Sequence, residues 1–81
     1  MNRERRKQIK DIQNSLSELK NKLEEVRDDE DSYLSNMPES LFSSSKQSMI
    51  AQANIGDLDY CLDGIDDIIN NLKSVIDRKD I

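Results

Sequence analysis

The chain has 81 residues, enough for one small domain, and 36% of them are charged. It carries a formal net charge of −5 and contains a single Cys, no His and no Trp. These counts exclude a disulfide framework and argue against a zinc site, because both need several Cys or His side chains. No apolar run reaches the roughly 18 residues that a membrane-spanning helix needs, so we expect no contact with a membrane interior.

The first predicted element is a helix over residues 3–32, a stretch without Gly or Pro. Apolar residues recur along it with alternating spacings of three and four, the heptad pattern of helices that pack against a neighbouring helix. The pattern predicts that six side chains face the partner helix: Ile9, Ile12, Leu16, Leu19, Leu23 and Val26.

A connection over residues 33–43 follows and contains the single proline, Pro38. A second helix is predicted over residues 44–78, with Ser44 as its N-terminal cap. Its heptad residues are Ile55, Leu58, Leu62, Ile65, Ile69, Leu72 and Ile76. The whole chain, residues 1–81, is therefore predicted to be one all-α domain, an antiparallel two-helix coiled-coil hairpin. The length of the connection predicts that facing residues have numbers summing to 81, so that Leu19 lies opposite Leu62.

The second helix has more apolar residues than one neighbour requires. Cys61, Ile68 and Val75 recur every seven residues, each directly before a heptad position. We interpret them as an oligomer interface, with Cys61 as a small buried side chain. A dimer of hairpins would form a four-helix bundle, and a larger oligomer is the alternative.

Another apolar set lies near the start of the second helix: Phe42, Met49, Ile50 and Tyr60. One interpretation is that these side chains pack beneath the connection. The other is that they form a surface for a partner molecule.

Charge is unevenly placed along the first helix. Residues 1–10 contain five cationic side chains and one acidic one, whereas residues 24–31 contain six acidic side chains and one cationic one. This distribution opposes the dipole of an isolated helix. An antiparallel hairpin compensates for it, because each end of the first helix lies beside the opposite end of the second.

The cationic side chains also suggest an anion-binding site. In the hairpin they gather at one end, where they are suited to a phosphate or nucleotide. Duplex nucleic acid is not expected to bind, because the remaining surface is acidic. The candidate ligands are Arg3, Arg5, Arg6, Lys7, Lys10, Lys73 and Arg78, with Lys79 beside them.

Aspartates line the outside of the second helix, and we interpret them as a solvated face, with mimicry of nucleic acid phosphates as the alternative. They are Asp57, Asp59, Asp63, Asp66, Asp67 and Asp77. Catalysis is not expected, because the chain has no His, no Gly-rich phosphate loop and no base placed to activate its serines. We expect no catalytic residue, metal ligand or cofactor.

The segment Asn36-Met37-Pro38-Glu39-Ser40-Leu41 resembles small helical-hairpin proteins of unassigned activity that bacteriophages and prophages encode. The charged start of the chain, from Arg3 to Lys7, and the stretch from Leu62 to Ile69 also resemble them. The chain departs from this group at Phe42, where the group tends to carry Gln. The resemblance implies a viral protein acting in the cytoplasm of a bacterial host.

Three functions follow as hypotheses. The favoured one is a non-catalytic interaction protein that forms a homo-oligomer and binds and inhibits a host protein, with a host defence protein as one candidate target. A second is an oligomer that sequesters a small anionic ligand such as a signalling nucleotide. A third is a structural or assembly factor.

Overall fold

Two α-helices lie antiparallel in the computed structural model, which describes residues 1–39 and 45–78. Helix α1 spans Arg3–Ser35 and helix α2 spans Lys46–Asp77. Together they form a rod 64 Å long, 16 Å wide and 12 Å thick. The predicted all-α, antiparallel helical hairpin is confirmed.

Polar caps define the helix ends. The side chain of Asn2 accepts a hydrogen bond from the Arg5 N–H at 2.8 Å, which satisfies one free amide of the first turn. α1 runs three residues beyond its predicted end and stops before Pro38, whose ring disfavours helical backbone in the residue before it. At the start of α2, the Ser45 hydroxyl accepts the Ser48 N–H at 3.1 Å. The cap is therefore one residue later than predicted; Ser44 lies outside the described residues.

The heptad residues of α2 face α1 as their spacing predicts. Seven apolar side chains are half-buried between the helices: Ile55, Leu58, Leu62, Ile65, Ile69, Leu72 and Ile76. In the part of the chain that the structure describes, only Ser48 and Ala51 are fully buried. A pair of helices covers its own contact line only partly, and one face of each core side chain stays near solvent.

Half of the contact line predicted for α1 is wrong. Ile9, Leu16 and Leu23 are half-buried as expected. Ile12, Leu19 and Val26, by contrast, are 53%, 54% and 55% exposed. Their places between the helices are taken by polar side chains with long stems, namely Gln13, Lys20 and Arg27, with Arg6 at the end of the same row. Arg and Lys can cover apolar surface with their stems while the charged group stays in water.

The observed burial assigns heptad positions to both helices. In α1, residues 6, 13, 20, 27 and 34 are at position a, and residues 9, 16, 23 and 30 are at position d. In α2, residues 55, 62, 69 and 76 are at a, and residues 58, 65 and 72 are at d. On each helix a lies beside e and d lies beside g. In an antiparallel pair the two g rows share one side of the hairpin and the two e rows share the other.

Contacts between the helices agree with this assignment. Lys20 and Arg27, at position a, pair with Asp66 and Asp59, at position e. On the other side, the Asn54 amide at position g donates to Glu30 at position d over 3.2 Å. The numbers of the paired residues sum to 86 or 84, so the predicted register of 81 and its pairing of Leu19 with Leu62 are wrong.

Candidate functional site

One side of the hairpin carries an exposed apolar face, which consists of six apolar residues at g positions, three from each helix. α1 contributes Ile12, Leu19 and Val26, and α2 contributes Cys61, Ile68 and Val75. Ile68 is 50% exposed, Cys61 is exposed and Val75 is half-buried. Cys61 is exposed in the single hairpin because position g lies beside the contact line and not within it, and its burial in an oligomer stays a prediction.

The predicted interface included only the α2 half of this apolar face. The α1 residues were assigned to the contact between the helices, although they recur every seven residues just as Cys61, Ile68 and Val75 do. At the observed register, Leu19 lies level with Ile68, Ile12 with Val75 and Val26 with Cys61. The apolar face is thus twice as wide as the sequence indicated, and it crosses the groove between the helices.

The opposite side of the hairpin is polar. Lys20 Nζ lies 2.7 Å from an Asp66 carboxylate oxygen and 3.5 Å from one of Glu24. Arg27 Nε donates to Asp59 over 2.9 Å. The hydrogen bond from Lys20 to Asp66 is the largest cause of a raised pKa at Lys20, and the bond to Asp59 raises the pKa of Arg27. Both cations are therefore held in their charged form.

These two ion pairs were not predicted from the sequence. Asp59 and Asp66 were grouped with the solvated aspartates on the outside of α2. A signal was present, since Lys20 and Arg27 are seven residues apart and Asp59 and Asp66 are also seven apart. Two rows of opposite charge with the same period form cross-helix pairs when the helices are antiparallel.

The hairpin brings the predicted anion-binding residues to one end of the rod, called here the basic end. An Arg6 guanidinium nitrogen donates to the Arg78 carbonyl oxygen over 3.0 Å, which joins the start of α1 to the end of α2. Glu4, Asp11 and Asp77 lie in the same region of the two helices. The exposed cations around this contact are Arg3, Arg5, Lys7, Lys10, Lys73 and Arg78.

The predicted partner surface is exposed where the structure describes it. Met49 and Tyr60 are 68% and 82% exposed, and Ile50 is half exposed. These three residues, called here the outer patch, lie on the side of α2 that faces away from α1, with Tyr60 roughly 16 Å further along the helix than Met49. An added Cβ at Gly56, between Met49 and Tyr60, would meet no atom within 4 Å. The fourth predicted residue, Phe42, lies outside the described residues.

A cavity of about 490 Å³ lies where the two helices approach the connection. Its described lining contains amide, hydroxyl, phenol and thioether groups, and the Ser45 hydroxyl lies 3.7 Å from the Met37 sulfur. Among residues 1–39 and 45–78, no cluster of three or more acidic or Cys side chains is placed to hold a metal ion. None of the described helices is long and apolar enough to cross a membrane.

Comparison with known proteins returned no matching family model, no similar curated protein and no similar solved structure.

Proposed function

We propose that the protein is a non-catalytic helical interaction module that self-associates and binds a host protein. The observation that carries the proposal is the apolar face, in which three large aliphatic side chains of α1 are more than half exposed beside a matching row of α2. Contiguous apolar surface of this kind is typical of protein contact sites. Packing two such faces together would produce a four-helix bundle.

Self-association is tested by light scattering coupled to size exclusion. The variant Leu19→Glu/Ile68→Glu places two carboxylates in the apolar face and should be monomeric at concentrations where the unchanged protein is oligomeric. Asn14→Glu/Asn70→Glu is the matched control, because it adds the same charge at exposed positions of both helices outside the apolar face. A monomeric unchanged protein, or equal masses for both variants, would refute self-association.

The outer patch supports binding of a second protein. Met49, Ile50 and Tyr60 lie outside the apolar face, so they remain accessible when that face is covered by another copy. The resemblance to phage and prophage proteins supports a bacterial target, and inhibition of a defence protein is the role we propose for the complex.

Affinity capture from bacterial lysate tests the outer patch. The unchanged protein should retain a partner that Met49→Asp/Tyr60→Asp loses, while both proteins keep the same oligomeric mass. Lys7→Asp/Asn14→Asp changes two exposed residues on α1 instead and should retain the partner. Equal retention by all three proteins would show that the outer patch is not the binding surface.

Sequestration of a small anionic ligand is the second candidate, and the contact between Arg6 and Arg78 favours it because it concentrates cations at the basic end. A cyclic or linear nucleotide should then raise the melting temperature. Arg3→Ala/Arg5→Ala should remove that shift, whereas Lys22→Ala/Lys46→Ala, which removes two exposed cations elsewhere, should keep it. A plain assembly factor would show neither ligand nor partner dependence.

A further inference from the structure

We propose that the second copy packs on the apolar face with its ends reversed, so that α1 lies on the partner copy's α1 and α2 lies on its α2. This inference rests on the proposed self-association and adds the orientation of the two copies. It concerns the apolar face of Ile12, Leu19, Val26, Cys61, Ile68 and Val75.

Symmetry allows two ways to stack this face on a second copy of itself. A two-fold axis along the rod keeps like ends together and sets α1 over the partner copy's α2. A two-fold axis across the rod brings opposite ends together and sets like helices over each other. Neighbouring helices are antiparallel in both arrangements, so helix dipoles do not distinguish them.

The charges of α1 distinguish the two arrangements. Five of the first ten residues are cationic, and six of residues 24–31 are acidic. The middle of the apolar row on α1 is Leu19, which lies close to midway between these two segments. When α1 reverses about Leu19, Lys7 and Lys10 lie level with Asp31 and Asp28 of the partner copy, and Arg3, Arg5 and Arg6 lie just beyond the end of its acidic segment.

The like-ends arrangement has the opposite consequence. It would place the cationic start of α1 over the end of α2, which carries the two cations Lys73 and Arg78 and one acidic residue, Asp77. It would also place the acidic residues 24–31 near Asp57 and Asp59 of the partner copy. Like charges in the same region repel each other, and the partly excluded solvent of an interface screens them less than bulk water does.

The α2 contact fits the same axis. Ile68 lies level with Leu19, so it too falls near a two-fold axis that crosses the rod there. Asp57 and Arg78 are 11 and 10 residues from Ile68 in opposite directions, and both are exposed. In the reversed pair they lie opposite each other at the edge of the apolar face. Gly64, near the axis, leaves open space around the position of a Cβ, which permits close approach of the two α2 helices.

Reversal has a consequence for the basic end, because each basic end would lie against acidic side chains of the partner copy. It would then hold less unpaired positive charge than it does in a single hairpin. The reversed dimer therefore weighs against sequestration of an anionic ligand, which the like-ends dimer would favour by placing two basic ends together.

Distances between spin labels in the dimer test the orientation. A single label is placed at Gln8→Cys, or separately at Ser32→Cys, in a Cys61→Ala background; both positions are exposed. In the reversed dimer, residue 8 of one copy lies level with residue 30 of the other, a separation of roughly 33 Å at about 1.5 Å per residue. For residue 32 the separation is roughly 39 Å on the same basis. In the like-ends dimer the two labels of each pair lie at the same level along the rod, on helices whose axes are only about 14 Å apart, so both measured distances should be clearly shorter.

Long distances at both positions support the reversed dimer. If the label at residue 8 prevents assembly, the distance measured at residue 32 decides the orientation. Short distances overturn the inference and leave self-association standing. A labelled protein that is monomeric when the unlabelled protein is also monomeric refutes the proposed function and the inference together. As an independent measurement, the dissociation constant of the reversed dimer should rise several-fold with added salt. A constant that falls with added salt overturns the inference.

Discussion

Arg27 Nε on α1 lies 2.9 Å from Asp59 Oδ1 on α2, and this pair joins a core position of one helix to a flanking position of the other. Lys20 and Asp66 repeat the relationship one heptad further along. The charged groups of Lys20 and Arg27 therefore both lie on the same side of the contact line. The apolar residues Leu19 and Val26 lie on the other side. The hairpin has two chemically different sides because four of the five a positions of α1 hold polar side chains.

Truncation of core and face residues should have different consequences. Leu16 is half-buried between the helices, so Leu16→Ala should lower the free energy of unfolding by about 2 kcal/mol at any protein concentration. Leu19→Ala removes the same atoms from the exposed apolar face, so its effect should depend on protein concentration. Urea unfolding over a wide concentration range separates the two. If instead Leu19→Ala destabilised equally at every concentration and Leu16→Ala did not, Leu19 would have to lie in the contact between the helices.

The ion pair between Arg27 and Asp59 should contribute little to stability. Asp59 is about half exposed, so solvent screens the attraction, and the coupling free energy should be close to zero. A double-mutant cycle with Arg27→Met and Asp59→Asn measures it. The coupling should shrink in high salt. A larger, salt-independent value would contradict this prediction.

Replacing a core cation with an apolar side chain should stabilise the hairpin and allow it to form oligomers of more than one size. Lys20→Leu adds apolar contact at a core position and should raise the free energy of unfolding by about 1 kcal/mol. It also removes a charge from the polar side, so larger oligomers should appear in light scattering. Lys7→Leu, at an exposed position outside the contact line, is the control and should not stabilise.

Stability should fall in alkaline solution because of Lys20. The bond to Asp66 raises the pKa of Lys20 in the folded protein, with burial acting in the opposite direction. A raised pKa means that its contribution is complete below the unfolded value of about 10.4 and is lost as the pH rises through the folded value. Unfolding of Lys20→Met should therefore show a shallower alkaline decline than that of the unchanged protein. If the stability of both proteins fell equally with rising pH, groups other than Lys20 would be responsible.

The buried Ala51, near the start of α2, should not tolerate a larger side chain. Ala51 is 1% exposed and faces α1, so Ala51→Leu should cost about 1–3 kcal/mol by overpacking. Ala53→Leu makes the same change at an exposed position on the outer side of α2 and should be close to neutral. Thermal unfolding of the two variants checks the difference, and equal melting temperatures would contradict the close packing.

Sequence periodicity was sufficient for the hairpin and for the α2 contact line, where every core position from Ile55 to Ile76 is apolar. It failed on α1 because two rows of residues each complete a heptad pattern with Ile9, Leu16 and Leu23. Hydrophobicity favours the row of Ile12, Leu19 and Val26. The helices instead use Gln13, Lys20 and Arg27, whose stems pack while their polar groups reach partners such as the Ile69 carbonyl, 3.0 Å from the Gln13 amide.

The interface prediction was incomplete for the same reason. Ile12, Leu19 and Val26 were assigned to the contact between the helices and were therefore left out of the predicted interface. The apolar face was recognised only on α2. Burial in three dimensions was needed to distinguish the rows, because a side chain at g and a side chain at a differ by only one position in the sequence.

The ion pairs of Lys20 and Arg27 also limit growth of any assembly. A two-helix layer with apolar surface on both sides would add copies without end, in the manner of a fibre. Here one side is occupied by charged groups that water hydrates well, so in the proposed dimer the apolar face would be covered and this polar side would offer no matching apolar surface to a further copy. If the proposed dimer forms, the polar core positions of α1 limit it to a finite size, at some cost in the stability of each hairpin.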